Sequence, residues 1–575
     1  MANITVKKNT YRDSLILMKI ANAIREMDNI KGCTVALASE QNKTTLPEAY
    51  QSAPEVLDAG PNDLLIVIDS EDKEATEYAS VKIEQMLTMG RLLTSISAGG
   101  ACQTSEQGWS RKPEATLALI SIPGPYVAEE ARKNLDHGLN LHIFSDNVPR
   151  EEELALKKIA REKGLLVMGP DCGTANIAGY ALAFANKVRT GPIGIVGAAG
   201  TGIQEVSTLV HRWGSGVSHA IGTGSNDISD AIGGLTTIDG LRKLVRDPQT
   251  EVIVIVSKPP APQVEAEILK EVRKSPKPVV VAFLGGDLAA AASHGGIPAR
   301  TLEDAARLAV QAAQDALSRP GRAEDLAGLA RQEGARLLPG QKYVRGLYSG
   351  GTLANEACLI VSDTLSPVYI NTALKAAVRL EDTSRSIAHT FIDLADDEFT
   401  QGKPHTMAEP AMRFERILQE AADPETAVIL MDIVIGYGVH HDPAGAVAHT
   451  LMRARALAAE AGRYLPIVAS ICGVDDDPQN REGQEEKLKK AGVIVLSTNA
   501  RAARLAAMIA GRTQADDARD LLHHKLEVIN IGLPEFANDL EKQGVPMIHV
   551  DWRPPRPAAR EVNDPAMRSI LGKLL

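Results

Sequence analysis

Aromatic residues are scarce in this sequence: 7 Phe, 3 Trp and 10 Tyr amount to 3% of its 575 residues. Alanine, glycine and valine stand in their place, as in parallel-sheet proteins whose helices pack closely on strands. Cysteine is equally sparse. Cys33, Cys102, Cys172, Cys358 and Cys472 lie far apart with no CxxC pair. That argues against a disulfide framework or a zinc site, so no metal is expected, and it points to reduced thiols in the cytoplasm. Basic blocks are missing too. With 62 Lys and Arg against 73 Asp and Glu, the net charge is -11 and nucleic acid is not an expected partner. No apolar run reaches about 18 residues, and MANITVKKNTYRD has no apolar leader core, so neither a membrane span nor a signal peptide is expected.

What is present is a succession of strand and helix patterns, enough for several domains. Residues 1–100 read as a small α+β unit, with strands at ITVKK, CTVALA and DLLIVID and helices at YRDSLILMKIANAIREM and EATEYASVKIEQML. The small, polar stretch 93–113 reads as a linker. Residues 115–190 and 191–318 alternate short apolar strands with helices, the mark of parallel sheets. An Ala/Arg/Gly-rich connector (319–340) follows. A further α/β unit over 340–575 closes with the strand–helix–strand pattern EVINIGLPEFANDLEKQGVPMIHVDW.

Two of these units share an order of parts. GAAGTGIQEV (197–206) and SGGTLANEA (349–357) each carry Gly-Thr, three residues, then Glu. DPQTEVIVIV and DPETAVILMD each place Asp-Pro before a strong strand. The spacing predicts a diverged internal duplication with an insertion near 380–412. A strand entering small residues and then a helix leaves the first amides of that helix unpaired. Glycine lets an anion approach them, and threonine adds a hydroxyl donor. The expected phosphate-binding residues are therefore Gly200, Thr201 and Gly202 with Gly350, Gly351 and Thr352. A tight turn that merely caps a helix explains one such step equally well; two copies at matched places favour the anion. Neither is followed by Gly-Lys-Ser/Thr, so a Walker loop is excluded.

The run VMGPDCGTANIAG, GPIGIVGAAGTGIQEV, AIGTGSNDISD, DPQTEVIVIV and KPVVVAF resembles the α-subunit of succinyl-CoA synthetase. GLYSGGTLANEA through DPETAVILMDIVIGYG is similar to the carboxy-terminal domain of the β-subunit. Over roughly residues 1 to 550, REKGLLVMGPDCGT, GTGIQE, LYSGGTLANEA, DEFTQGKPHTM and VINIGLPEFA resemble signatures of the FdrA family. The fold this implies is α/β: several doubly wound parallel-sheet domains after a small N-terminal α+β domain. Residues 115–190 are then Rossmann-like and stand where the synthetases bind CoA, 191–318 are a ligase-like flavodoxin-type domain, and 340–575 a second ligase-like domain with an extension. In the synthetases two helix N-termini hold a phosphohistidine phosphate.

Departures from the synthetases redirect the chemistry. No stretch reads as an ATP-grasp domain. The segment AAAASHGGIPARTLEDAA offers His294 without the glycine-lysine-rich run after the phosphorylated histidine, so His294 is either a truncated remnant or, more simply, a helix-terminal histidine. The family resemblance implies a subunit (AllF) of oxamate carbamoyltransferase working with two other proteins. The expected activity is transfer of a carbamoyl group between a small N-carbamoyl acid and phosphate, with carbamoyl phosphate as a substrate and no cofactor required. CoA is disfavoured, because ISIPGPYVAEEA has one glycine where a nucleotide site usually has several. Lys403 and His405 in FTQGKPHTMAEP are the catalytic candidates, for substrate carboxylate and for general acid or oxyanion donation; a solvent-facing loop is the plain alternative. Cys172 is a candidate nucleophile or a packing thiol. Thr174 and Asn176 in the same loop are candidate lining residues, as are Asp432 and the pair His440 and His441, where strand ends usually meet ligands. Two other functions stay open: an acyl-CoA synthetase or acyl-phosphate enzyme using CoA, and a non-catalytic scaffold.

Overall fold

Strands form along the β-branched runs, and a computed structural model shows how they assemble. It describes residues 2–552, apart from 9, 11–13, 26, 28, 40–41, 44–45, 62, 98–101, 314–323, 401–404 and 512–525. The chain makes two compact units, Met1–Arg512 and Thr513–Leu575.

Ala2–Lys7, Gly32–Leu37 and Leu64–Asp69 pair antiparallel with the last in the middle. That central strand is apolar on both faces because both are covered. Leu17, Ile20, Ile24 and Ile83 of helices Ser14–Arg25 and Lys73–Ser97 lie on one side, Leu46 and Val56 on the other. The expected linker at 93–113 is instead helical at both ends, since Lys73–Ser97 runs into it and Ser105–Arg111 follows. Anchoring explains the difference. Thr104 accepts the Gln107 amide, and the Trp109 indole donates to Asn134 at 3.0 Å while stacking on His137.

Next comes a parallel sheet of Leu117–Ile120, Asn140–Ile143 and Val167–Met168, with helices Gly124–Asp136 and Arg150–Glu162. The hairpin Thr174–Ile177/Tyr180–Ala183 lies before the expected boundary at 190, yet it pairs antiparallel with Val217–Gly222 and so extends the following sheet.

The two larger sheets share one plan. Ile193–Gly197, Val217–Gly222, Val252–Ser257, Val279–Phe283 and Ile297–Pro298 run parallel in the spatial order second, first, third, fourth, fifth. Tyr343–Tyr348, His389–Asp393, Thr426–Val434, Ile467–Cys472 and Ile494–Leu496 repeat that order. Such doubly wound sheets open a crevice at the carboxyl ends of the first and third strands, where the winding reverses. VIVIVS (252–257) is buried throughout, as a strand covered by helices on both faces must be. Asp247 and Asp423 end equivalent helices with extended backbone, ψ 122° and 120°. Their carbonyls accept the amides of Thr250 and Thr426, each at 3.3 Å. The extra chain of the second half lies mostly earlier than 380–412: strands Val368–Ile370 and Val378–Arg379 fill 363–388.

The closing Val528–Ile531, Pro534–Lys542 and Met547–Val550 form a parallel strand–helix–strand in the second compact unit, outside the body that carries the 343–496 sheet. Among the described residues no helix is long and apolar enough to cross a membrane.

Candidate functional site

Each repeated Gly-Thr step joins the first strand of its half to a helix, Gly200–Arg212 and Gly351–Ser362. Neither helix has a side-chain cap, the N-cap residues being Ala199 and Gly350. The carbonyls of Ala199 and Gly350 bond first to the amides of Ile203 and Ala354, so the amides of residues 200–202 and 351–353 have no partner within the helix. Both ends open on one cavity of about 200 Å3, lined by Gly200, Thr201, Gly351 and Thr352. Gly202 and Gly350 stand behind the wall and set the spacing. A methyl on Gly202 would lie 2.9 Å from Thr352 Cγ2, and one on Gly350 2.8 Å from Thr201 Cγ2. The two steps interlock, each threonine methyl seated on the other's glycine. Among the described residues, neither threonine hydroxyl has a hydrogen-bond partner.

The glutamate of each step ties the halves together. Glu205 accepts the amide of Asn499 (3.3 Å), the first residue of helix Asn499–Ala510 in the second half. Glu356 accepts the amide of Leu302 (2.7 Å), the first residue of helix Leu302–Ala312 in the first half, and also the Asn499 side-chain amide (2.8 Å). Burial raises both carboxyls, that of Glu356 to about 8.

Other walls come from strand ends and loops. Lys258 follows the third strand of the first half, and Asp393 ends the second strand of the second half; the loop Gly222–Ser225 and the segment Asp171–Thr174 face them. That loop is held from below by a buried network. Lys157 Nζ donates to Glu153 (2.8 Å), Asp227 (2.8 Å) and the Thr223 carbonyl (3.0 Å), and Asp227 accepts the amides of Thr236 and Thr237. Burial lifts the Asp393 carboxyl to about 7, with Asp396 and Asp432 adding to the rise and the Ala395 amide and Lys258 opposing it.

The structure brings some expected residues together and leaves others out. His405 lines the cavity, its ring centroid 5.1 Å from that of Phe184. Its Nδ1 accepts the Met407 amide at 3.2 Å, and loss of hydration lowers the imidazole to about 4. It is therefore neutral near pH 7 and presents Nε2–H as a donor. Lys403 lies outside the described residues. Cys172 lines the cavity, but burial pushes its thiol up to about 12 and Sγ–H points to the Thr174 carbonyl at 3.5 Å, the geometry of a packing thiol. Thr174 lines it as well, with its hydroxyl committed to the Phe184 carbonyl at 2.7 Å.

Asn176, Asp432 and His440 are not on the cavity wall. Asn176 is buried on the hairpin, and among the described residues its side-chain amide has no partner. Asp432 lies beneath the second Gly-Thr step, ion-paired to Arg413 at 2.7 Å and accepting the Ser349 amide at 3.0 Å. His440 packs against His441, with ring centroids 4.5 Å apart, and accepts the Asp442 amide. His294 follows helix Leu288–Ser293 and shares a hydrogen bond with the Ala290 carbonyl at 2.9 Å. Lys258, Asp393 and Gln204 are wall residues that sequence reading missed. The available signal for the first two was position: Lys258 follows a strand that flanks the reversal point of its sheet, and Asp393, in the other sheet, ends a strand beside such a flanking strand. Among the described residues no group of His, Cys, Asp and Glu could hold a metal ion.

Three family models match the chain: "AllF, heavy metal-associated domain" over residues 1–97, "CoA binding domain" over 188–285 and "CoA-ligase" over 347–509. The Escherichia coli (strain K12) protein YahF is 44% identical over 502 residues, covering 86% of this chain and 96% of that protein. The mitochondrial succinate–CoA ligase [ADP-forming] subunit alpha-2 of Trichomonas vaginalis is 28% identical over 31% of this chain, and the chain spans 58% of its length. The malate–CoA ligase subunit alpha of Methylorubrum extorquens is 26% identical over 30% of this chain, which spans 59% of that subunit. Among solved structures, ATP citrate lyase from Methanothrix soehngenii shares 11% identity over 80% of this chain and 89% of its own, at a TM-score of 0.33. An overlay so loose carries no structural argument.

These matches correct one expectation. A protein requiring no cofactor, with CoA disfavoured, does not agree with a CoA-binding match over 188–285 and a CoA-ligase match over 347–509. The glycine-rich strand–turn–helix sought at 115–190 exists one unit later, at Ile193–Arg212. This chain joins an AllF-type N-terminal domain to CoA-binding and CoA-ligase domains in a succinyl-CoA synthetase-like order, and by its identity with YahF along nearly that protein's whole length it belongs to the YahF family of FdrA-like proteins.

Proposed function

We propose that the cavity binds phosphate and the phosphoryl end of a carboxylic–phosphoric anhydride, and that the protein is a CoA-ligase-type enzyme acting on a small acyl group through that anhydride. The observation that carries this is the convergence of two uncapped helix N-termini, one from each duplicated half, on a single cavity with Lys258 on its wall. Each helix end supplies roughly half a unit of positive charge as well as free amides. Together with the lysine they balance a phosphoryl dianion. About 200 Å3 admits a phosphoryl group with a small acyl group, below the several hundred Å3 of sites that enclose a large ligand.

CoA fits there only by its thiol end, which the Gly222–Ser225 loop would hold, and CoA supplies a thiol nucleophile when bound. The chain's own residues do the rest. Thr201 and Thr352 donate their hydroxyls to the phosphoryl oxygens. His405, neutral, offers Nε2–H to the carbonyl oxygen as charge builds on it. The two CoA ligase relatives named above are subunits, and a partner chain that brings the phosphoryl donor is part of this reading.

A second reading rests on the AllF-type N-terminal match. Carbamoyl phosphate is itself such an anhydride, and the same site then serves transfer of a carbamoyl group between a small N-carbamoyl acid of oxamate type and phosphate, with two other subunits. Calorimetric titration with phosphate, acetyl phosphate, carbamoyl phosphate and CoA tests both. Phosphate and at least one anhydride are expected to bind, and Lys258→Met to weaken them about tenfold or more through loss of a charge-assisted hydrogen bond. Preference for carbamoyl phosphate over acetyl phosphate selects the second reading. A folded protein giving no heat with any phosphate compound contradicts both and leaves a scaffold.

A further inference from the structure

Asp393 is out of keeping with a site built for an anion. Its side chain is 6% exposed and forms part of the cavity wall. Oδ1 accepts the Ala395 amide at 3.0 Å. Oδ2 lies against the start of the second helix, 2.3 Å from where a methyl on Gly351 would stand, and among the described residues no group donates to it. Gln204 repeats the pattern on the first helix: it lines the same cavity, its amide nitrogen donates to Asn186, and its buried oxygen has no partner among the described residues. Amides and hydroxyls that attract an oxyanion thus stand beside two acceptors that a bare oxyanion cannot satisfy. An unpaired acceptor costs about 1–3 kcal/mol when sealed from water, so the bound group should bring a donor.

We propose that Asp393 makes the site selective for oxyanions that carry a hydrogen-bond donor, hydrogenphosphate among the inorganic ones, over fully deprotonated anions of the same size and charge such as sulfate. This rests on the phosphate reading of the cavity. Hydrogenphosphate donates its one proton to Oδ2 while its other oxygens take the helix amides and the threonine hydroxyls. Sulfate has no proton to give, so its oxygen meets the carboxylate directly.

The charged and titratable neighbours set the pH at which this begins. Lys258 at the end of the third strand of the first half favours the carboxylate, and Asp432 beneath Gly350 and Asp396 on the same loop disfavour it. Across the cavity lie His405, neutral near pH 7, and Asp171, whose carboxylate takes the Ser225 hydroxyl. With the Asp393 carboxyl raised to about 7, a protonated Asp393 can donate to any oxyanion below that pH, and above it only a ligand with its own proton is accepted.

The test is calorimetric titration of the full chain with inorganic phosphate and with sulfate between about pH 6 and about pH 8.5. Sulfate affinity is expected to fall about thirtyfold across that range, a tenfold loss per unit once Asp393 ionises, while the affinity for phosphate, counted as the hydrogenphosphate dianion present at each pH, changes by less than about threefold. In Asp393→Asn, whose amide can donate at every pH, the sulfate profile should become flat and the preference for phosphate disappear. Parallel profiles for the two anions in the wild type, or a preference that survives in a folded Asp393→Asn, overturn the proposal while leaving the phosphate site standing. The wild-type profile decides even if the variant does not fold. Phosphate that fails to bind at any pH removes the site itself and the selectivity with it.

Discussion

Single side chains in this protein are driven far from their ordinary titration by burial, and the consequences differ with the sign of the charge. His389 is buried at the start of its strand, where loss of hydration and the nearby Arg345 lower its imidazole to about 4, and its Nδ1 accepts the Val344 amide at 3.2 Å. The unfolded chain therefore binds a proton that the folded one refuses between about pH 6.5 and about pH 4. Its contribution to stability is complete above the ordinary histidine value and is lost as pH falls towards the lowered one, about 2 kcal/mol by pH 5. Thermal unfolding at pH 7 and pH 5 checks this. The midpoint should drop on acidification, and His389→Gln should show a smaller drop; equal drops would mean that other groups govern the acid limb. Residues of this kind were the least legible in the sequence. Asp393 looked like one acid in the run DLADDE, and Lys258 like the polar end of VIVIVSK. Only the fold sets them opposite each other, because they close strands of different sheets.

At the scale of elements, legibility depended on whether a residue encodes local backbone. The Gly-Thr steps and the Asp-Pro turns were visible because glycine, threonine and aspartate act on their own few residues. The role of the glutamates was not, since Glu356 acts across 54 residues to reach the Leu302 amide and across 143 to reach Asn499. Glu356→Ala is expected to cost about 2 kcal/mol, for a helix start stripped of its acceptor and a buried asparagine amide left with the Leu353 carbonyl as its one acceptor. Urea unfolding reads that cost directly. A loss under about 0.5 kcal/mol would show that Thr301, which accepts the Asp304 amide at 3.0 Å, caps the helix sufficiently alone. The unit boundary near 190 differed from the sheets for a related reason. The hairpin Thr174–Ala183 carries ordinary strand patterning, and nothing local in it tells that its partner is Val217–Gly222.

At the scale of the molecule, two α/β halves of the same strand order face each other through their first helices, and the site lies where those helices begin. Strand–helix alternation sufficed for parallel α/β units, the family resemblance implied their doubly wound class, and the repeated motif pointed to the duplication. The match to a CoA-binding domain was not legible at 115–190, because the glycine-rich strand–turn–helix lies at Ile193–Arg212. The central claim is that both halves hold one anion. Thr201→Val and Thr352→Val test it cleanly, because valine keeps the methyl that seats on Gly350 or Gly202 and removes only the hydroxyl. The most direct measurement is the calorimetric affinity for phosphate of the wild type, the two single variants and the double. A shared site predicts about a tenfold loss from each single variant, at roughly 1–1.5 kcal/mol per hydrogen bond, and a further loss in the double whose size is set by the coupling of two residues that share one ligand. An effect confined to one threonine, or a folded double variant that binds phosphate as the wild type does, contradicts it.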